Sequence, residues 1–140
     1  MSRTTAAAPA PLPPPLPPLN PAITGIRNGL PVTTLDFLSD ALGIDRTALL
    51  DILGVSERTV QRKESAASLL SPAASDRLSR IERIFNLAGE IFGDTAMAAT
   101  WLKRPSRALG NEVPLRLLDT DMGTQFVERE LRQIQFGFVF

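Results

Sequence analysis

The sequence predicts an all-α protein, and the spacing of its apolar residues is the main reason. From about Thr33 onward, apolar side chains recur at steps of three and four, which places them on one face of successive helices. No segment shows the alternation of β-branched and polar residues that is typical of strands. Helix-start and helix-stop residues divide the pattern into mostly short helices joined by tight turns.

Residues 1–32 differ from the rest of the chain in composition. Eight of the twelve prolines lie within residues 9–21, which leaves the backbone few hydrogen-bond donors and favours an extended polyproline conformation. The PxxP spacing of Pro11, Pro14 and Pro17 would suit a Pro-binding partner domain, but such spacing is common in any Pro-rich segment. We therefore expect residues 1–32 to form a disordered, Pro-rich leader.

Residues 33–70 are predicted to form a helix-turn-helix, called the head below. The first helix begins at Thr33, a capping residue with an acid three positions later, and it ends at Gly43. The second helix is capped by Asp45 and ends at Gly54. The inward-facing apolar residues of these helices are Leu35, Leu38, Leu42, Leu49, Ile52 and Leu53, with Phe37 and Ala41 beside them.

The turn Leu53-Gly54-Val55-Ser56 and the helix after it form the predicted DNA-binding surface. Glycine relieves the steric cost of the turn, Val55 points to the core, and Ser56 caps a third helix that extends to Glu64. Arg and Gln side chains pair with purine edges, whereas Ser, Thr and Lys reach phosphates. A solvated helix of a small bundle is the alternative, because Glu57 and Glu64 flank the basic side chains. The candidate DNA-binding residues are Ser56, Arg58, Thr59, Gln61, Arg62 and Lys63.

Residues 71–93 are predicted to form one long helix that connects the head to a carboxyl-terminal domain, residues 94–140. Ser71 is its cap and Pro72 its first helical residue, and Gly93 ends it. The wide apolar face is also suited to a dimer interface. Its residues are Leu78, Ile81, Ile84, Phe85, Ala88, Ile91 and Phe92.

The carboxyl-terminal domain is predicted to contain three further helices. The first spans residues 94–103 and carries Trp101, which we assign to the core, and the second spans residues 114–119. Thr120 caps the last helix, after which Gly137 allows the chain to turn or to lie flat against a surface. Its apolar face consists of Phe126, Val127, Leu131, Ile134 and Phe138, and its solvated face of Glu128, Arg129, Glu130 and Arg132.

The last five residues, Phe136 to Phe140, contain three aromatic side chains and a valine. Such a run is an aggregation liability unless it is buried, either in this chain or in a partner. We interpret it as a segment that binds another protein. The alternative is that the three rings fold back onto Trp101 and Leu118 as part of the core.

Composition limits the classes of function. The sequence has no Cys and no His, which excludes disulfides, Cys-ligated metals, the commonest general base and the commonest metal ligand. A site made only of carboxylates is the remaining option for an enzyme, but the acids that such a site would need are not grouped in the sequence. We therefore expect neither enzymatic activity nor a cofactor or metal. The candidate acids for a site made only of carboxylates are Glu82, Glu90, Asp94 and Asp121.

Charge and hydropathy point to a cytoplasmic protein. Basic and acidic residues balance at 15 each, so any contact with DNA has to come from a local patch and not from the net charge. No apolar run approaches the about 20 residues that a membrane-spanning helix needs. No secretory hydrophobic region is present, and we expect a cytoplasmic location without a membrane partner.

A series of positions in the carboxyl-terminal domain resembles the toxin-binding domain of the Xre/MbcA/ParS antitoxin family. So many matches in the same order are improbable by chance, whereas the Xre-like head is a weaker match because helix-turn-helix patterns are common. The resemblance extends from about Thr33 to Phe140 and leaves the Pro-rich leader uncovered. The matching residues are Trp101, Leu102, Pro105, Ala108, Leu109, Gly110, Pro114, Leu115, Leu117, Leu118, Thr120, Gly123, Val127, Leu131, Ile134 and Gly137.

The resemblance implies an all-α antitoxin that pairs with a RES-domain toxin, an enzyme that consumes NAD⁺ or transfers its ADP-ribose. Members of the family cover the toxin's active-site cleft with the last helix and tail. Many relatives are expected to carry an acidic or other strongly polar residue near Gln135, so this amide leaves open which group enters the toxin's cleft. Matched by position, the toxin-binding residues would be Leu131, Arg132, Gln133, Ile134, Gln135, Phe136, Gly137, Phe138, Val139 and Phe140.

The resemblance also implies that the protein dimerises and binds the promoter of its own operon. The expected partners are therefore a RES-domain toxin, operator DNA and a second copy of the chain, with a larger complex once the toxin is bound. The alternative is a stand-alone dimeric transcriptional repressor without a toxin partner, in which the carboxyl-terminal domain serves only dimerisation.

Overall fold

The computed structural model of the protein describes residues 21–61 and 68–137. Across these residues the chain is helical, and β-pairing is limited to two isolated bridges, Pro31 with Leu69 and Ser106 with Glu112. The predicted all-α class is confirmed. The α-helices are α1 (Pro21–Asn28), α2 (Thr33–Leu42), α3 (Arg46–Leu53), α4 (Glu57–Gln61), α5 (Pro72–Phe92), α6 (Thr95–Lys103) and α7 (Asp121–Gln135), and two 3₁₀ helices span Arg107–Leu109 and Pro114–Asp119.

Helix α5 is the central element of the fold. It has 21 residues and contacts α1, α3, α6, α7 and the second 3₁₀ helix. Its start is the predicted one, since the Ser71 hydroxyl accepts a hydrogen bond of 3.2 Å from the backbone N–H of Ala74 and Pro72 is the first helical residue. The buried side of α5 belongs to one apolar core that also includes residues of the head and of α6 and α7. Helix α5 therefore joins the two halves of the chain.

The apolar face of α2 is narrower than predicted. Leu35, Leu38 and Leu42 are buried as expected, but the Phe37 side chain is 75% exposed and Ala41 is also exposed. The buried face is completed instead by a polar residue, Ser39. Its hydroxyl is satisfied locally because it donates a 2.7 Å hydrogen bond to the Leu35 carbonyl oxygen one turn earlier.

The predicted cap of α2 is wrong. Thr33 is the first helical residue, and the preceding Val32 already has helical dihedrals, φ −57° and ψ −31°, so no side chain caps this end. Val32 adopts this conformation because its side chain is buried in the core and its N–H donates to the Ser68 carbonyl oxygen at 3.1 Å. Asp45 does occupy the N-cap position of α3, although its side chain makes no capping hydrogen bond.

Residues 21–32, which the sequence assigned to the leader, belong to the fold. Helix α1 packs on α5, and the N–H of Leu30 donates a 2.8 Å hydrogen bond to the hydroxyl of Ser75, a residue with no exposed surface. Gly29, at φ +96°, lies so close to the backbone of Leu70 that a Cβ on it would overlap the Leu70 carbonyl oxygen. The predicted disorder of residues 1–20 lies outside the described residues.

The carboxyl-terminal domain starts and stops its helices largely where the sequence predicts. The Asp94 carboxylate accepts a 2.9 Å hydrogen bond from the N–H of Ala96, and the Thr120 hydroxyl accepts one of 3.0 Å from Gly123. The segment that begins at Pro114 is a 3₁₀ helix. A Cβ on Gly123 would overlap the carbonyl oxygen of Leu117, so α7 and this 3₁₀ helix are in direct backbone contact.

Candidate functional site

The turn between α3 and α4 has the geometry that the sequence predicts. Gly54 is left-handed at φ +68°, its N–H donates to the Asp51 carbonyl, and the N–H of Val55 donates to the Leu50 carbonyl at 3.1 Å. These two bonds form a Schellman motif, the common way of ending a helix at glycine. The Ser56 hydroxyl then accepts a 3.2 Å hydrogen bond from the Thr59 N–H and so caps α4.

The outward face of α4 presents the predicted polar side chains. Ser56, Arg58 and Thr59 are exposed, and the buried residue of this helix is Val60. The acid on the same helix, Glu57, is directed toward α3, where its carboxylate accepts a 3.4 Å hydrogen bond from the Thr47 hydroxyl. The negative charge of Glu57, which is unfavourable for DNA binding next to Arg58, is therefore partly compensated by a hydrogen bond within the protein.

Three of the candidate DNA-binding residues lie at or beyond the end of α4. Gln61 is its last helical residue, and Arg62 and Lys63 lie outside the described residues. The whole set therefore stays a prediction, with a capped helix end and two exposed side chains to support it.

The first predicted toxin-binding residue, Leu131, faces the core and not the surface. Its side chain has no exposed area, because it packs within the cluster that α7 shares with α5. Leu131 therefore holds the helix in place and is not available to a partner. Gln133 and Ile134 are half-buried, whereas Arg132 and Gln135 are exposed and joined by a 3.2 Å hydrogen bond from the guanidinium to the amide oxygen.

The end of α7 exposes an aromatic ring. Phe136 follows the last helical residue and is 71% exposed, so it does not fold back onto Trp101 and Leu118. Gly137 is exposed and left-handed at φ +75°. Phe138, Val139 and Phe140 lie outside the described residues.

Two aromatic residues assigned to apolar faces lie partly on the surface. Trp101 is half-buried and lines an open cavity of about 470 Å³, with the Phe92 ring 6.0 Å away between centroids. Phe126 is 46% exposed, and the Arg129 guanidinium lies 5.2 Å from its ring centroid. Helical spacing does not predict this partial exposure, because residues at the edge of an apolar face recur with the same spacing as the buried residues at its centre.

Within residues 21–61 and 68–137 there is no group of three or more potential metal-ligating acids. In the same part of the chain, no helix has the length and apolarity required to cross a bilayer.

Comparison with known proteins finds two family matches that follow one another along the chain. Residues 21–83 match a family model described as the antitoxin Xre-like helix-turn-helix domain, and residues 87–137 match the antitoxin Xre/MbcA/ParS C-terminal toxin-binding domain. The first match begins at the residue where α1 begins.

Three curated relatives cover most of the chain. "Antitoxin Xre" of Photorhabdus laumondii is 34% identical over 121 residues, which are 85% of this chain and 82% of the relative. "Antitoxin Xre" of Yersinia enterocolitica is 28% identical over 116 residues, 82% of this chain and 78% of the relative. The "Prs ADP-ribosylating antitoxin" of a Sphingobium species is 32% identical over 121 residues, 80% of this chain and 76% of the relative.

Proposed function

The chain belongs to the Xre family of antitoxins, and on that premise we propose that it neutralises a RES-domain toxin with the end of α7 and represses its own operon through α4. The name of the Sphingobium relative refers to ADP-ribosylation, which supports a toxin that uses NAD⁺. Both activities consist of binding, so the protein needs no catalytic group or cofactor of its own. Operator DNA and an NAD⁺-consuming enzyme are cytoplasmic targets, and we assign the protein to the cytoplasm.

The observation that supports toxin binding most strongly is the exposed Phe136 at the end of a well-anchored helix. Val127 and Leu131 are fully buried on the inner face of α7, and Gly123 brings its first turn against the 3₁₀ helix. A ring presented by such a rigid element loses little conformational entropy on binding. Aromatic side chains inserted into a partner's pocket are frequent hot spots of protein–protein interfaces.

The neutralising step is the exclusion of NAD⁺ from the toxin's cleft. A cleft that binds NAD⁺ accepts a flat aromatic ring and offers polar groups for the phosphates. Phe136 would occupy the site of a ring, while the hydrogen-bonded pair of Arg132 and Gln135 would meet polar groups at the rim. Phe138, Val139 and Phe140 would extend the same surface beyond the described residues, and Gln133, Ile134 and Gly137 would adjoin it.

The test of this mechanism is the substitution Phe136→Ala, with Met122→Ala as the matched control. Met122 is also on α7 and is 69% exposed, but it lies in the first turn of the helix. We expect Phe136→Ala to weaken toxin binding by about 2 kcal/mol, which is roughly 30-fold in Kd, and to abolish growth rescue during co-expression. Met122→Ala should bind like the parent. If Phe136→Ala binds and rescues as well as the parent, the end of α7 is not the inhibitory element.

Repression would depend on the exposed polar side chains of α4. Arg58 is placed to pair with a base edge, and the capped end of α4 is placed to meet a phosphate. Arg62 and Lys63 remain part of the proposed surface, as do Ser56, Thr59 and Gln61. One head offers few base contacts, so we propose a homodimer that contacts two half-sites of the operator.

Arg58→Ala is expected to weaken binding to the promoter of the operon by about 1–3 kcal/mol if the side chain pairs with a base. Arg107→Ala, which removes an exposed cation from the carboxyl-terminal domain, is the control for net charge and should have a small effect. Fluorescence anisotropy with a labelled promoter fragment measures both. Equal losses for the two variants would show that Arg58 contributes only through its positive charge and pairs with no base.

The second candidate function is a stand-alone dimeric repressor. The helix-turn-helix match favours it as much as it favours an antitoxin, but the match of residues 87–137 to a toxin-binding domain favours the antitoxin. A RES-type toxin gene beside this one would decide for the antitoxin.

A further inference from the structure

An arginine of α5 is hydrogen-bonded to the turn that precedes α4. The Arg77 guanidinium donates from Nη1 to the Leu53 carbonyl oxygen at 2.7 Å, across 24 residues of sequence. Leu53 is the last residue of α3, and its side chain is buried. The bond therefore links the central helix of the fold to the first residue of the helix-turn-helix turn.

This contact adds to the capping of α3. The Schellman bonds of Gly54 and Val55 engage the carbonyls of Asp51 and Leu50, and Arg77 supplies a donor for the carbonyl of Leu53. A cation is also favourable at this end of a helix, where the backbone dipole is negative. The absence of a side chain at Gly54 gives the guanidinium its space, because a Cβ there would lie 2.9 Å from Nη1.

Within residues 21–61 and 68–137, helix α4 makes few contacts with the other helices. It has five residues; Val60 is buried, whereas Glu57, Arg58 and Thr59 are exposed. An open cavity of about 320 Å³ lies between α4 and the start of α5, lined by residues of both including Thr59, Val60 and Ala74. The direction in which α4 points therefore depends on the turn that leads into it.

We propose that Arg77 is a positioning residue for DNA binding: it fixes the α3–α4 turn and thereby sets the orientation of the outward face of α4. This inference rests on the proposed role of α4 in operator binding. The next two arginines along α5 serve the other half of the protein. Arg80 donates to the Leu118 carbonyl oxygen at 3.5 Å, and Arg83 pairs with Glu128 of α7 at 3.1 Å.

The experiment compares Arg77→Ala, Arg77→Lys and the control Arg83→Ala on the full-length chain. Each Ala variant removes one positive charge from α5, but only Arg77→Ala removes the contact with the turn. In Arg77→Ala, the Leu53 carbonyl loses its charged donor, and the turn no longer fixes the orientation of α4. We therefore expect operator affinity to fall about tenfold. Arg77→Lys should recover part of that affinity, and Arg83→Ala should bind the operator like the parent.

The salt dependence distinguishes positioning from a direct contact. A residue that touches a phosphate lowers the slope of log K against log salt by about one when it is removed, whereas a positioning residue lowers affinity equally at every salt concentration. We expect the slope for Arg77→Ala to match that of the parent. A lower slope, or an affinity equal to that of the parent, would overturn the proposal.

Amide hydrogen exchange tests the inference even if the parent chain binds no operator, a result that would reject the proposed function of α4. In Arg77→Ala, the N–H groups of Val55, Thr59 and Val60 should exchange faster by about tenfold. Those of α7, such as Thr124, should be unchanged. Unchanged exchange in α4, or a uniform increase throughout the chain, would overturn the positioning role, because the latter indicates a general loss of stability.

Discussion

Helices α4 and α7 carry the two proposed binding surfaces, and they are anchored in different ways. Helix α7 has 15 residues and buries Gly123, Thr124, Val127 and Leu131 along its inner face. Helix α4 has five residues and buries Val60, next to an open cavity. What fixes α4 in addition is local geometry: the glycine turn, the serine cap and the hydrogen bond from α5.

The difference suits the two kinds of partner. A segment that blocks the active site of a partner binds best when it is already rigid, because ordering a mobile segment on binding lowers the affinity. A short helix that contacts base edges needs a defined orientation, which a fixed turn, a cap and a hydrogen bond can supply without a long buried face. We infer that α7 is stable as part of the core, whereas the stability of α4 is local.

The largest effect is expected where α7 meets the second 3₁₀ helix. In Gly123→Ala, the new Cβ would overlap the Leu117 carbonyl oxygen, and backbone cannot move aside as a flexible side chain does. We expect a loss of about 4 kcal/mol in the free energy of unfolding, together with loss of toxin binding.

Gly89→Ala is the matched control for this change, since a Cβ on that α5 residue would meet only Thr95, at an ordinary 3.8 Å. It should be neutral or slightly stabilising, because alanine favours a helix over glycine by up to about 1 kcal/mol. Urea unfolding of the two variants measures both effects. If Gly123→Ala were as stable as the parent, the inference that the close contact between Gly123 and Leu117 anchors α7 would be wrong.

An intermediate effect is expected from Val60→Ala on α4. Removing two methyl groups from a side chain that is 1% exposed costs about 2 kcal/mol locally. Because Glu57, Arg58 and Thr59 of α4 are exposed, we expect its amides to exchange far faster while the midpoint of thermal unfolding falls by only a few degrees. A fall in the midpoint as large as that produced by Leu131→Ala would show that α4 unfolds together with the core.

The sequence predicted elements well where the signal is local. The cap of Ser56, the glycine of the α3–α4 turn and the cap of Thr120 each depend on residues within a few positions, and the structure has all three. Prediction from the sequence failed where a residue far away in the chain determines the local conformation. Thr33 lost its capping position because Val32 is held by Ser68, a contact that no local pattern reveals.

The same argument explains the error in the leader and the mixed outcome for the toxin-binding segment. Residues 21–32 look like a continuation of a Pro-rich tail until Ser75 is known to accept the Leu30 N–H. Leu131 matched the family by position, but its complete burial follows from packing against α5, which the resemblance did not describe. Phe136 had the same apolar character in the sequence, and its exposure is a consequence of lying one residue beyond the helix.

The smallest predicted effects provide the most direct comparison of the two helices. Ser56 and Thr120 make equivalent caps, with hydrogen bonds of 3.2 Å to the Thr59 N–H and 3.0 Å to the Gly123 N–H. Replacement of such a cap by alanine costs about 1 kcal/mol. In Thr120→Ala this cost should appear in the global free energy of unfolding, because α7 shares the core. In Ser56→Ala it should appear as roughly fivefold faster amide exchange in α4, with little change in global stability. Equal losses of global stability for both variants would contradict the local character of α4, since they would require α4 and α7 to unfold as one unit.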